Sequence, residues 1–487
     1  MIKLNDLRST DFGHTQFEWL LALVTGPEAH TATLDQMERH LFRQVLRLGF
    51  KLLRLFVLTR VGAELHTPQP GAGGTTVPYH SQKPRAYFSI FGKLTFERAY
   101  FYTPGQSGVC PLDSALSLPE RCYSDLLMES AELLGVEGAY DKGLRVLARL
   151  LGLDLSENAL ETGVSEHSQG VKGYYAQKGR FPVEEEGPIL VAQADGKGVP
   201  MIRRETAQLK ARRGKGDKKT RKKEAIAIAA YTVAPYVRTA QDVVDALFKK
   251  AAPPGQRPRP CHKQVFASMR GKERTIKRLA AWTVQREGQH IRERVALTDG
   301  SEPLQRQVLE KLPGFSLVLD MIHVDEYLWE VGTAIYGETD PHRDDWVAAQ
   351  LLDILSSRTE TVIQRLEQTA SKLCQGSQTA KTLRRVAAYF RRNLPYMDYA
   401  RYLQQGWPIG TGVIEGTCRH LVKDRMELSG MRWSMSGAEA ILALRSVNEN
   451  GDWDDFHEYR RAQRHQRLYG TSMNKNWLDQ VERLEIN

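Results

Sequence analysis

Ile189-Leu-Val-Ala-Gln-Ala-Asp195-Gly196 is an apolar run of strand length that ends in an acid and a glycine. A largely apolar run of this length suits a strand buried on both faces. Three more runs share its character: Ala225-Ile-Ala-Ile-Ala-Ala-Tyr-Thr-Val233, Arg294-Val-Ala-Leu-Thr-Asp299 and Ser316-Leu-Val-Leu-Asp320. Helical spacing fills the stretches between them. Residues 185–340 are therefore expected to form an α/β layer structure, a mixed sheet flanked by helices, rather than a barrel of hairpins.

On the N-terminal side, Met37, Leu41, Val45, Leu48, Leu52, Leu55 and Phe56 recur every three or four residues and predict one long helix over Leu34–Val61 with these positions facing a core. After a Gly/Pro/Thr-rich loop, Ala86-Tyr-Phe-Ser-Ile-Phe and Leu94-Thr-Phe-Glu-Arg-Ala-Tyr-Phe-Tyr read as a β-hairpin joined at Gly92-Lys93, which completes a segment 1–105. The segment 106–184 reads as helical. Within it Leu144, Leu147, Leu151, Gly152, Leu155 and an N-capping Ser156 have the form of a helix-turn-helix, a pattern that plain helix packing produces more often than DNA contact and that marks the segment as a candidate DNA-binding domain.

C-terminal to the strand runs, residues 341–405 lose all strand character and read as a helical insertion. Two helices follow over 406–450, the second capped by Ser436-Gly-Ala-Glu439, and a polar, basic tail occupies 451–487, with Arg460, Arg461, Arg464 and Arg467 close together.

With 487 residues, 41% apolar and 26% charged, the chain has material for roughly two to four domains, which excludes a disordered or fibrous protein. The formal charge of +10 favours polyanionic partners. Nearly all of it sits between Arg203 and Lys223, where eleven basic residues face only Glu205 and Asp217. Five scattered cysteines without a CxxC pair suit a reducing compartment. With no apolar leader and no run of membrane-spanning length, a cytoplasmic protein without membrane contact is expected.

Three of the four strand runs end in or abut an aspartate. Asp-Gly after a strand is often only a turn. Two such endings at Asp195 and Asp299, with Asp320 and with Glu415 at the start of a later helix, instead suggest carboxylates converging on a divalent metal at the sheet edge.

Four stretches carry a family resemblance: Val191-Ala-Gln-Ala-Asp-Gly-Lys-Gly-Val-Pro-Met201, Leu297-Thr-Asp-Gly300, Leu319-Asp-Met-Ile-His-Val-Asp-Glu-Tyr-Leu328 and Gly410-Thr-Gly-Val-Ile-Glu-Gly-Thr-Cys-Arg-His-Leu-Val-Lys-Asp-Arg-Met426. Together they resemble the DDE transposases of bacterial insertion sequences, in particular the ISKra type, over residues 185 to about 435. The resemblance implies an RNase H-like fold with catalytic, metal-holding acids at Asp195, Asp299 and Glu415. It also implies an Asp-x-x-His element from Asp320, as an accessory acid further out, to His323. The implied partners are double-stranded DNA, both transposon ends and target, and a second copy of the chain, because two ends must be paired. The implied setting is the nucleoid of a bacterial cytoplasm.

The chemistry agrees with those residue types. Three carboxylates suffice to hold two Mg²⁺ or Mn²⁺ ions about 4 Å apart for in-line phosphoryl transfer, and no covalent nucleophile is needed. His323 is suited to donating to a phosphate or orienting an acid, or to core packing alone. On the Glu415 helix, Ile414, Cys418, Leu421 and Met426 form a buried stripe, while Arg419 and Lys423 follow at i+4 and i+8 on the side of the acid. These cations make salt bridges or line the path of a DNA backbone.

The expected phosphate contacts in the basic segment are Arg203, Arg204, Lys210, Arg212, Arg213, Lys215, Lys218, Lys219, Arg221, Lys222 and Lys223. Gly214-Lys-Gly-Asp-Lys-Lys-Thr220 lacks the spacing of a nucleotide-binding P-loop. Two rival readings keep the fold: a structure-specific endonuclease without strand transfer, and an inactive DNA-binding derivative, against which the intact acids argue.

Overall fold

The computed structural model describes residues 11–70, 76–105, 107–206, 222–374 and 376–473. They form two compact units: the residues up to Gly170 together with those from Asp454 onward, and Val171–Trp453. Among the described residues no helix is long and apolar enough to cross a membrane.

In the first unit, the helix Leu34–Gly62 starts at a capping box in which Thr33 and Gln36 exchange hydrogen bonds between side chain and backbone. Its apolar stripe does not meet the expected core. Gln44 and Val57 are buried, whereas Val45, Leu52 and Phe56 are 57%, 49% and 51% exposed. The core available to this helix is small, built from Val57, Leu94, Phe96, Leu112 and Leu118, so it covers only part of the stripe.

Two-residue strands β1 (Gln69–Pro70) and β2 (Thr76–Val77) precede the hairpin of β3 (Tyr79–Ser89) and β4 (Gly92–Phe101). Ser89 pairs with Gly92, so the turn lies at Ile90-Phe91 and not at Gly92-Lys93. Gly92 opens the second strand at φ +137, a conformation that disfavours a side chain. Helices Asp125–Glu137, Tyr140–Leu151 and Glu157–Ser168 follow. Gly152 ends the second of them at φ +68, and Ser156 caps the third by accepting from Ala159 N. The segment read as a polar tail contains the helix Trp453–Tyr469, whose Arg460 and Arg464 are buried against acids of the Asp125–Glu137 helix.

The second unit holds a five-stranded mixed sheet flanked by helices. Its strands are β5 (Ile189–Pro200), β6 (Lys222–Val233), β7 (Cys261–Ser268), β8 (Glu293–Thr298) and β9 (Ser316–Leu319), in the order β7-β6-β5-β8-β9. The first three pair antiparallel; β8 and β9 run parallel to β5. Strand β7 was not among the expected runs, because polar Lys263 and Gln264 interrupt it on an edge where one side meets no further strand. Asp195 was expected to end its strand, yet β5 continues to Pro200 on the β6 side, while its parallel pairing with β8 stops at Gln193.

The helices His342–Leu355, Thr359–Lys372, Gln378–Asn393 and Tyr399–Gln404 occupy the stretch read as an insertion. They share one hydrophobic core with the sheet, in which Leu351, Leu383 and Phe390 join Val295, Val318 and Leu319. They also hold the strand ends: Tyr389 donates from its hydroxyl to Asp299 O (2.9 Å), Arg392 to Gly300 O (2.9 Å) and Tyr399 to Leu319 O (2.8 Å).

Gly300 has φ +82, and a Cβ there would run into the Tyr389 hydroxyl and Leu319. Gly300→Ala is therefore expected to cost about 1–3 kcal/mol in denaturant unfolding, with a lower midpoint and an unchanged m-value. A midpoint equal to wild type would show that the Tyr389 clamp yields freely.

Candidate active site

Strand register assembles the acids. The parallel ladder of β5 and β8 ends at Gln193 opposite Leu297, so two residues further Asp195 stands level with Asp299. The ladder of β8 and β9 pairs Thr298 with Leu319, which sets Asp299 level with Asp320. Neighbouring strands lie about 4.8 Å apart and residues at one level share a face, so three aspartates line one end of the sheet.

Glu415 comes from the short helix Gly412–Thr417. The sheet fixes this helix through Gln193, fully buried within β5, whose Oε1 accepts from Ile414 N at 3.0 Å and whose Nε2 donates to the Tyr231 hydroxyl at 3.1 Å. The residues after it do not continue as a regular α-helix. Cys418–Lys423 is a π-helical turn, which shifts the spacing by which Arg419 and Lys423 were expected to follow Glu415 on one face. The turn brings the buried Cys418 near Asp195, whose charge helps to raise the thiol pKa after the effect of burial.

Asp320 is fully buried and accepts four hydrogen bonds. Oδ1 takes Ile322 N (3.1 Å) and Thr411 N (3.0 Å), and Oδ2 takes the Thr411 hydroxyl (2.6 Å) and His323 Nδ1 (2.7 Å). Thr411 Oγ1 is also 3.2 Å from Glu415 Oε1. One hydroxyl has one hydrogen, and the shorter contact claims it for Asp320. The contact with Glu415 is then a hydrogen bond only when Glu415 is protonated and donates.

The electrostatics agree. Burial, reinforced by the charge of Asp320, raises the pKa of Glu415; burial, with a contribution from Asp299, raises that of Asp195. The hydrogen bond from His323 to Asp320 pushes the imidazole pKa up to about 9, so at neutral pH it is a cation held beside the acids.

Donor atoms of Asp320, His323 and Glu415 lie within 4.8 Å of one another, a group that does not include Asp195 or Asp299. Asp320, expected further out, is thus part of the cluster. Its four donors nevertheless fill the lone pairs of both oxygens, which leaves it little capacity for a metal. Asp195, Asp299 and Glu415 are only half-buried and remain open to solvent. Two of them, Asp195 and Glu415, have raised pKa values, and carboxylate oxygens are the ligand type that suits a hard divalent cation such as Mg²⁺ or Mn²⁺.

Among the expected DNA contacts, Arg203 and Arg204 are exposed. Lys222 pairs with Glu427 at 2.6 Å and Lys223 lies 3.6 Å from Glu205. Arg419 is exposed, 4.0 Å from Asp424, and Lys423 is exposed. Lys210, Arg212, Arg213, Lys215, Lys218, Lys219 and Arg221 lie outside the described residues. Gln193, Tyr389 and Thr411 were not singled out in the sequence, and Cys418 was read only as part of a buried stripe. Of these, only Gln193 carries a local signal, a polar residue inside an otherwise apolar run.

No protein-family model matches the chain, and no curated protein matches it in sequence. Among solved structures, a Drosophila P element transposase strand transfer complex is similar at 10% identity, over 73% of this chain and 83% of that chain, with a TM-score of 0.25. A score of that size carries no weight for fold or function.

The raised pKa of His323 has a signed consequence. The stabilisation from its protonated form is complete below the ordinary value of 6.5 and is lost as pH rises through about 9. In metal-free protein, the stability advantage of wild type over His323→Gln is expected to shrink between about pH 6 and pH 10. An advantage independent of pH over that range would show that the imidazole does not ionise against Asp320.

Proposed function

We propose that this chain is a metal-dependent DNA transposase of the DDE type, akin to those of ISKra-type bacterial insertion sequences. In this reading the Val171–Trp453 unit is an RNase H-like catalytic core interrupted by a helical insertion. The observation that supports it is that Asp195 and Asp299 stand level on neighbouring parallel strands, while Gln193 fixes the helix that carries Glu415 to the first of those strands. The antiparallel β5–β7 followed by parallel β8 and β9 is consistent with the RNase H-like type.

Asp195, Asp299 and Glu415 would hold two Mg²⁺ or Mn²⁺ ions. Bound there, the ions would favour ionisation of an attacking water or 3'-hydroxyl and stabilise the leaving oxygen of an in-line displacement. Asp320 is a positioning residue, holding Thr411 at the start of the Glu415 helix and keeping His323 protonated. His323 places a positive charge where a scissile phosphate would approach the acids. Arg203, Arg204, Arg419, Lys423 and the cations of 207–221 are assigned to the DNA backbone. The substrates are the ends of the element and the target DNA, and pairing two ends calls for at least two copies of the chain, acting at the nucleoid.

Asp195→Ala, Asp299→Ala and Glu415→Ala are each expected to reduce cleavage of labelled element ends below about a tenth of wild type while end binding persists, because ligands are lost and few DNA contacts are. A mutant that retains more activity removes its residue from the set. Joining of the cleaved 3' ends to a second duplex supports the transposase reading; hydrolysis without joining would instead make the protein a nuclease.

Replacing Lys215, Lys218, Lys219 and Arg221 by Gln is expected to flatten the slope of log K against log salt by up to about 3.6, equally on specific and random DNA. An unchanged slope would exclude these residues from phosphate contact. A loss confined to element ends would mean that they read bases.

A further inference from the structure

The helix Asp125–Glu137 presents Asp125, Glu129 and Glu132, spaced by four and three residues, to His457, Arg460, Arg461 and Arg464 of the helix Trp453–Tyr469. Two of the three acids have guanidinium partners. Arg460 donates to Asp125 (3.0 Å) and Glu129 (3.1 Å), Arg461 to Glu129 (2.5 Å) and Arg464 to Asp125 (2.5 Å).

Glu132 is different. It is 0% exposed, and among the described residues neither of its carboxylate oxygens accepts a hydrogen bond. Among the described residues its ion-pair neighbours are two imidazoles: His167 Nδ1, 2.7 Å from Oε1, and His457 Nε2, 3.9 Å from Oε2. The helix Glu157–Ser168 comes this close because residue 163 is glycine; a Cβ there would run into Met128 and Glu132 Oε1.

We propose that Glu132, His167 and His457 form a zinc site inside the first unit, separate from the acidic site and independent of the transposase reading. A buried carboxylate without a cation is heavily penalised, so the cluster needs either a protonated imidazole or a metal ion. Both imidazoles turn a ring nitrogen toward Glu132, and Arg460 Nε, 3.2 Å from Nδ1 of the buried His457, leaves Nε2 as the atom that ring presents to the carboxylate. Ring nitrogens and a carboxylate facing one another in this way are the arrangement that a metal ion would join.

The three donor atoms already lie within 4.8 Å of one another. With zinc-to-ligand distances of about 2.0–2.2 Å, tetrahedral ligands stand about 3.4 Å apart, so closing around an ion takes shifts of about an ångström. Two imidazoles and one carboxylate are a zinc donor set, in contrast to the oxygen donors proposed for the catalytic ions. A water or the second Glu132 oxygen would fill the fourth position. With Nε2 of His457 on the metal, its proton moves to Nδ1, which faces Glu129 Oε1 at 3.6 Å. Arg460 Nε gives up its contact with the ring, and Arg460 keeps Asp125 and Glu129 through Nη2. The ion would clasp three segments distant in sequence, including the helix that follows the Gly152 turn.

The test uses the full-length untagged chain, stripped with a chelator and titrated with Zn²⁺, or with Co²⁺ as a spectroscopic probe, in excess Mg²⁺. Wild type is expected to bind one equivalent, to show the visible absorption of four-coordinate Co²⁺ and to melt at a temperature that rises with zinc concentration. Glu132→Gln and His457→Gln should weaken binding at least about tenfold, while Glu415→Gln keeps the equivalent. Because substitutions in a buried cluster can unfold the unit, the wild-type melt is decisive by itself. A melting temperature indifferent to zinc overturns the proposal. So does zinc binding that survives in Glu132→Gln or disappears in Glu415→Gln.

Discussion

The second unit depends on one buried carboxylate. Asp320 ends the short strand β9, caps the helix Met321–Tyr336 through Ile322 N, and reaches across 91 residues of sequence to bind both the backbone N–H and the hydroxyl of Thr411. Backbone bonds run beside it, from Asp320 N to Thr298 O and from Met321 N to Ile409 O. Removing the carboxylate would leave several buried donors without an acceptor, at about 1–3 kcal/mol each. This hub also explains how residues as distant as Asp320 and Glu415 meet. The helical stretch between them leaves the sheet edge and returns to it at Asp320, so its length does not enter the geometry of the site.

That stretch is therefore more than an appendage. Leu383 and Phe390 complete the core beneath β8 and β9, and Tyr389, Arg392 and Tyr399 hold the backbone of the segments that carry Asp299 and Asp320. Rigid support of this kind matters where like charges gather, because mutual repulsion would otherwise open the loops.

Much of the layer structure was legible because buried strands leave long apolar runs and the acids close them. Where the reading failed, the cause was information that local sequence does not hold. Asp195 lies within its strand because β6 outlasts β8 as a partner, a property of pairing rather than of residues 189–200. Strand β7 is an edge, where Lys263 stays exposed, and the other polar residue that hid it, Gln264, is buried. The stripe on Leu34–Gly62 has helical period, but periodicity does not say how much core awaits it. The π turn at Cys418–Lys423 has no sequence signature and alters which side chains face Asp195. Thr411 and Tyr389 acquire their roles only from contacts made about 90 residues away in sequence.

Both clusters of acids in this chain pose the same electrostatic problem and solve it in different ways. At the end of the sheet, Asp195 and Glu415 have raised pKa values because burial and neighbouring acids penalise their charged forms. Only Asp320 is compensated outright, by four donors and a protonated His323. The remaining acids, Asp195, Asp299 and Glu415, are half open to solvent. In the first unit, Asp125 and Glu129 are neutralised permanently by arginines, and Glu132, sealed from solvent, faces two imidazoles. Carboxylates at the end of the sheet are open to exchange with solvent ions, whereas the cluster around Glu132 is sealed from solvent. The placement of fixed cations, rather than the number of acids, thus separates the two clusters.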